Sequence, residues 1–420
     1  MSGLLQRYRG LPREIYILFL ARVINSVGAF VYPLLTLILT DKIGFGEDSA
    51  GLCMTILTLT QAPAVIIGGK LADKFGRKKL IIVFQTLGAA TYMACGFIQP
   101  SITMVVLVVV ASNFYAMTHP AMEAVTADLT HAGNRKEAIS VLYMGFNLGF
   151  AIGPMIGGLL YKNLLPLVFI GDAFTTIVST VLLGIFIKET LPKKEDAPAG
   201  ADENSLEKYQ EGSVFRVLKE RKALLYFALI MLIYEFAYSQ WAFALPIQMK
   251  GLFADGAAQY GLLASFNGLL VIIMTPVVTA LIRRWRSLRA TALAGVLYAV
   301  SYGILIFMRD LSLFYVSMFL LTLGEVLNTI DNRSFLANYS PSSHRGRLNS
   351  IMNIISSSGR MISPLVVGSL ITSGGIASGW TAVSAAAITG AGFMWVLLRF
   401  NPLLKNSRIY IEDGDINEQL

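Results

Sequence analysis

The chain has 420 residues, of which 55% are hydrophobic and 14% charged, with a formal net charge of +8. Soluble globular domains average about 45–50% apolar and about 25% charged residues, so this composition excludes an ordinary water-soluble domain and calls for an apolar solvent. The two cysteines, Cys53 and Cys95, lie inside apolar runs as small packing residues, which excludes a disulfide framework or a zinc site.

Along the chain, apolar stretches recur near 15–40, 50–69, 80–99, 102–126, 138–160, 166–187, 223–249, 259–282, 290–308, 313–336, 349–372 and 379–399. Each is long enough for a helix to cross about 30 Å of hydrocarbon. The first is too long for a cleavable signal and carries no small-residue cleavage site, so it reads as a span. Connections are short except for 188–222, whose middle, "KKEDAPAGADENS", is too polar to bury a core and reads as a flexible linker. A polar tail closes the chain. With the N-terminus placed inside, 27 of the 34 Lys and Arg residues fall on the cytoplasmic side, and only Lys42, Lys162, Lys250 and Arg309 fall outside. That asymmetry predicts two cytoplasmic termini. It also makes the bases membrane-orienting residues, so no nucleic-acid partner is implied.

The sequence repeats itself at a fixed offset. "ADLTHAGNRKEAISVLYMGFNLGFAIGPMIGG" begins at Ala127, and "ANYSPSSHRGRLNSIMNIISSSGRMISPLVVG" begins at Ala337, 210 positions on. Arg135 falls on Arg345, Gly149 on Gly359 and Pro154 on Pro364. The same offset lays "SAGLCMTILTLT" over "QYGLLASFNGLL", so the chain reads as two six-helix halves.

Between spans two and three stands "GKLADKFGRK", a knot of charge in a chain that has little. Gly69, Leu71, Asp73, Gly76, Arg77 and Lys78 match a loop pattern that, with twelve spans and a parallel repeat, resembles the major facilitator superfamily. The resemblance implies an all-α integral membrane protein of twelve transmembrane helices in two pseudo-symmetric six-helix bundles. Those bundles would be 1–187 and 223–400, joined by a cytoplasmic linker at 188–222 and followed by a cytoplasmic tail at 401–420. It further implies a latch that closes the cytoplasmic side, with Gly69 letting span two approach a neighbour, Gly76 turning the chain, and Asp73 pairing with Arg77. The competing reading is that the bases only hold topology. In span five, "GFAIGPMIGG" places Gly149, Gly153, Pro154, Gly157 and Gly158 in a signature that resembles the family's exporters. Glycines at this spacing also serve as a plain packing seam, and Pro154 predicts a kink.

Ionisable residues within spans are costly and each needs a partner, water or a function. Arg22, Glu123, Glu235 and Glu325 stand out. Thr322, Glu325, Asn328 and Asn332 recur at helical spacing and give span ten one polar face. Glu235 comes with Tyr238 and Trp241, and Tyr32 and Asn25 accompany Arg22 in span one. A carboxylate among aromatic rings suits a lipophilic cation, although such stripes also occur as packing. Arg22 has snorkelling to the surface as its rival role. Glu123 matches Arg333 under the 210 offset, which suggests a pair between the halves, and His119 stands one turn from Glu123. Arg360 is expected to face inward with Ser356 and Ser363.

These features predict a secondary transporter that resembles the twelve-span proton-coupled multidrug exporters of bacteria. Its substrates would be lipophilic or cationic small molecules, its coupling residues Glu325, Glu235 or Glu123, and its location the plasma membrane. A dedicated carrier of one metabolite, sugar or lipid is the alternative, and an integral-membrane enzyme a remote one. No phosphate-binding loop of the G-x-x-x-x-G-K-[ST] type occurs, so a proton gradient is the expected energy source, with no cofactor. The expected partners are substrate, protons and the lipid bilayer, and a monomer is expected.

Overall fold

The computed structural model describes residues 10–130, 134–190, 222–282, 285, 288–307, 309–339 and 345–400. Regular structure among them is wholly helical. Among the described residues ten segments are long and apolar enough to cross a membrane, and the last, Ile351–Phe400, is interrupted at Gly375, where φ is 76°. Divided there, it supplies two crossings, so the protein is an all-α, multi-span membrane protein with ten or eleven long apolar helices. Large apolar side chains such as Ile66, Phe174 and Leu281 remain exposed on these helices, an arrangement that hydrocarbon tolerates and water opposes.

Three spans are broken, and each break has a cause in the sequence. The first span consists of α1 (Arg13–Val27) and α2 (Val31–Leu37), the latter running into a π turn at Ile38–Lys42. Two helices follow, α3 (Glu47–Phe75) and α4 (Arg77–Cys95), hinged at Gly76 with φ of 101°, a conformation that favours glycine. Next come α5 (Ile102–Asp128), α6 (Arg135–Phe150), α7 (Gly153–Tyr161) and α8 (Leu165–Phe186). The break between α6 and α7 falls just before Pro154, which occupies the first turn of α7, so the expected kink is there. The seventh apolar run divides into α9 (Lys222–Tyr238), a 3₁₀ turn at Ser239–Trp241, and α10 (Ala244–Leu252). Pro33 and Pro246 stand in the first turns of α2 and α10, where a missing N–H costs nothing. The first spans of the two sequence repeats are thus broken alike. The remainder is α11 (Gly256–Ile282), α12 (Arg289–Phe307), α13 (Leu311–Tyr339) and α14 (Arg345–Phe400).

By packing, the chain forms two compact units, Met1–Ala201 with Ala242–Ile272, and Asp202–Trp241 with Ile273–Leu420. The boundary does not follow the sequence repeat, because it cuts the seventh run at its break. Residues 242–272 are held to the first unit by named contacts. Thr36 Oγ1 donates to the Ala242 carbonyl (2.8 Å), and Met155 N donates to Ser265 Oγ (3.0 Å). Lys162 pairs with Asp255 at 3.0 Å and Lys250 with Asp41 at 3.4 Å. Gly158 lies so close to the Ala257 carbonyl that a Cβ there would stand 2.6 Å from it. The linker residues 191–221 and the tail 401–420 lie outside the described residues.

The glycine seam of α6 and α7 predicts a measurable packing cost. A Cβ at Gly149 would sit 2.5 Å from Ser26 Cβ and 2.6 Å from the Val23 carbonyl. Gly149→Leu should therefore destabilise the protein by about 1–3 kcal/mol, read as a lowered Tm in detergent. Gly392→Ala, where nothing lies within 4 Å, should leave Tm unchanged or raise it.

Candidate functional site

The second unit gathers a group of polar and aromatic side chains. Glu235 on α9 pairs with Arg360 on α14, Oε2 to Nη2 3.4 Å. One turn beyond Glu235, the Tyr238 hydroxyl is hydrogen-bonded to the Glu325 carboxylate on α13. Tyr298 and Tyr302 of α12 also lie close to Glu325. The Tyr302 hydroxyl donates to the Tyr238 carbonyl (3.1 Å), and its ring stacks on Trp380 with centroids 5.3 Å apart. Tyr234 is buried and structural: its hydroxyl donates to the Thr291 carbonyl at 3.1 Å. Trp241 occupies the 3₁₀ turn and is half-buried. The adjoining Gln240 is fully buried, its Nε2 bonded to Ser363 Oγ, which donates in turn to the Phe236 carbonyl at 2.6 Å.

Periodicity in the sequence brought Glu235, Tyr238, Glu325 and Asn328 into question, and all four lie in this unit. Tyr298, Tyr302 and Trp380 went unnoticed. The first two form an i, i+4 aromatic pair in "LYAVSYG", a pattern open to detection. A different oversight concerns Asp331, six residues after Glu325. Both its oxygens are committed, to Leu288 N (2.9 Å), Thr291 N (3.0 Å) and Thr291 Oγ1 (3.0 Å), so it caps the start of α12.

The first unit holds a looser set. Arg22 on α1 interacts electrostatically with Glu123 on α5, and His119 lies near Arg22. The Arg22 guanidinium stands 5.9 Å from the centre of the Phe146 ring. Arg22 thus has a charge partner within its own unit. The Arg333 side chain, expected to pair with Glu123, lies outside the described residues. Asn25 is half-buried, and Tyr32, exposed, lies close to the buried Tyr260. A second acid escaped notice in this unit. Asp172 on α8 is buried, and its Oδ2 accepts from Val31 N at 3.2 Å, with a further backbone bond from Phe30. It caps α2 at the break that sets the position of Tyr32.

In the charged loop the side chain of Asp73 lies outside the described residues. Arg77 pairs with Asp128, the last residue of α5, and donates to the Ala124 carbonyl at 3.4 Å. Glu189 caps α4, accepting from Arg77 N (2.9 Å) and Lys78 N (3.2 Å). Gly76 is doubly constrained, since a Cβ would stand 2.5 Å from Glu189 Oε2. The close helix approach expected at Gly69 belongs instead to Gly68, where a Cβ would meet the Met117 backbone; at Gly69 it would make only ordinary contact with Pro120, 3.7 Å away. Helix rotation decides which of two adjacent glycines faces the neighbour. In span five, Gly153 lies against the Ser26 and Val27 carbonyls and Gly157 against Phe30 and Leu34.

A family model described as Major Facilitator Superfamily matches residues 18–364. The chain belongs to this superfamily. It is a secondary transporter of that superfamily. This major facilitator protein is 24% identical to the MFS-type transporter YttB of Bacillus subtilis over 87% of this chain and 90% of that one. It is 22% identical to a Na(+), Li(+), K(+)/H(+) antiporter of Planococcus maritimus over 89% of this chain and 92% of the other. Its fold superposes on a POT family transporter solved with a thioalcohol-conjugated peptide, with a TM-score of 0.79, 14% identity, and coverage of 95% and 98% of the two chains.

The cap at the α1–α2 break gives the site its own prediction. Asp172→Ala leaves the α2 N–H groups without their acceptor where water is scarce. It should lower stability by about 1–3 kcal/mol in thermal melts. Asp172→Asn retains an acceptor oxygen and should lose less than half as much. Equal losses would mean that the hydrogen bond is not what Asp172 supplies.

Proposed function

We propose that the chain is a gradient-driven carrier for one class of small polar metabolite, with Glu325 as its proton-coupling residue. The observation that carries this reading is the arrangement around Glu325. A carboxylate held by the Tyr238 hydroxyl shares the neighbouring Tyr298 with a second carboxylate, Glu235, which is matched by Arg360. A site built for a lipophilic cation gains from unmatched negative charge, whereas matched charges of both signs suit a polar or zwitterionic substrate. Arg22 and Glu123 bring the same mixture to the first unit. In this reading the spans number twelve, with α4 as the third and α14 divided at Gly375. The bundles are 1–187 and 223–400, the linker 188–222 and tail 401–420 are cytoplasmic, and the membrane is a bacterial plasma membrane. The charged loop with Asp73 and Arg77 closes the cytoplasmic side.

A second reading is proton-driven efflux of lipophilic or cationic compounds. The span-five signature and the aromatic group of Tyr238, Tyr298, Tyr302 and Trp380 favour it. Glu235→Gln separates the two. For a metabolite carrier it leaves Arg360 uncompensated and should depress transport of every substrate. For a cation exporter it should selectively weaken cations.

The experiment uses the full chain in liposomes with a pH-sensitive dye inside. Amino acids, sugar phosphates and lipophilic cations are added in turn, and proton flux identifies the substrate. Uphill accumulation should collapse with a protonophore. Glu325→Gln keeps shape but cannot titrate, so it should cut proton-driven accumulation by more than about tenfold while downhill exchange persists. Wild-type uphill rates in Glu325→Gln would remove Glu325 from the coupling role.

A further inference from the structure

The polar face of α13 does not end at Glu325. Asn328 and Asn332 follow it at three and seven residues, within one arc of the helix. Asn328 is only 9% exposed. The Oδ1 atoms of both asparagines are buried and, among the described residues, accept no hydrogen bond. Buried acceptors are almost always satisfied, so two of them one turn apart on the same face need an explanation. The neighbouring acid does not provide one. Asp331 carries no donor in its ionised form, and its oxygens are engaged by Leu288 and Thr291 at the start of α12.

We propose that Asn328 and Asn332 form a binding site for a compact monovalent cation, either an alkali-metal ion or the primary ammonium group of a substrate. Glu325 lies one turn before Asn328 on the same arc of the helix and would supply the negative charge. A divalent ion is disfavoured, because such ions take six or more oxygen ligands and commonly several carboxylates, and this arc carries one, Glu325. A bulky quaternary ammonium has no N–H to give two carbonyl oxygens and cannot approach them as closely as a bare ion. The site lies wholly within the second unit. It adds to the carrier reading a cation-loading step adjacent to the coupling carboxylate.

The test measures binding without any gradient, so its failure and that of the transport reading are told apart. Purified full-length protein in lipid nanodiscs is titrated with sodium, potassium, methylammonium or choline chloride at constant ionic strength and pH, following Tm. At least one compact cation should give a saturable rise, and choline none. A response to sodium or potassium alone assigns the site to an inorganic ion, and a response to methylammonium alone assigns it to a substrate's amine. Asn328→Leu and Asn332→Leu should each weaken the apparent affinity about tenfold, the scale of one lost favourable contact. Should either leucine variant fail to fold, Asn328→Asp, which preserves volume and adds charge, should tighten binding. An equal response to choline, or wild-type affinity in Asn328→Leu or Asn328→Asp, overturns the proposal.

Discussion

Hydrocarbon offers no hydrogen bonds, and this single constraint governs where the chain can depart from a helix. A continuous span satisfies its own backbone, but every break exposes N–H and C=O groups that need partners. The protein breaks its first span between Val27 and Val31 and brings in Asp172 from α8 to accept from Val31 N. It breaks the fifth run before Gly153, and the Met155 N–H goes to Ser265 Oγ. At the seventh run, Gln240 and Ser363 form a chain that ends on the Phe236 carbonyl. Asp331 does the same for the start of α12. Two buried aspartates thus serve as helix caps, each accepting from backbone N–H groups at the start of a helix.

The second consequence of an apolar solvent concerns charge. A charge within a membrane span is costly unless another charge, water or a function accounts for it. Glu235 and Arg360 belong to one unit, and so do Arg22 and Glu123. Each of these charges is thus matched inside its own unit.

Much of the fold was legible in the sequence. Long apolar runs, the 210-residue repeat, Pro154 and the turn at Gly76 need only hydropathy, self-comparison and local backbone rules. The candidate site was half legible, since Glu325 and Asn328 announce themselves by helical spacing. What escaped depends on the neighbour across the gap. No spacing in the sequence marks Asp172 or Asp331, and their roles appear only once it is known which helix begins beside them. Gly68 replaced Gly69 at the close contact because spacing alone does not fix helix rotation. Arg77 takes Asp128, fifty-one positions away, and no local pattern links the two.

Glu325 and Asp331 show how one helix gives two identical functional groups opposite fates. Asp331 is fully buried and saturated by backbone and hydroxyl donors, so a change in its charge would dismantle the start of α12. Glu325 is only half-buried and is reached by a phenol, which can donate to either protonation state of the carboxylate. That phenol belongs to Tyr238, the last residue of α9, whose own carbonyl takes the Tyr302 hydroxyl. The 3₁₀ turn that breaks the seventh run begins at the next residue. The Glu325 carboxylate is thus tied, through Tyr238, to the residue immediately before the point where the backbone departs from α-helix.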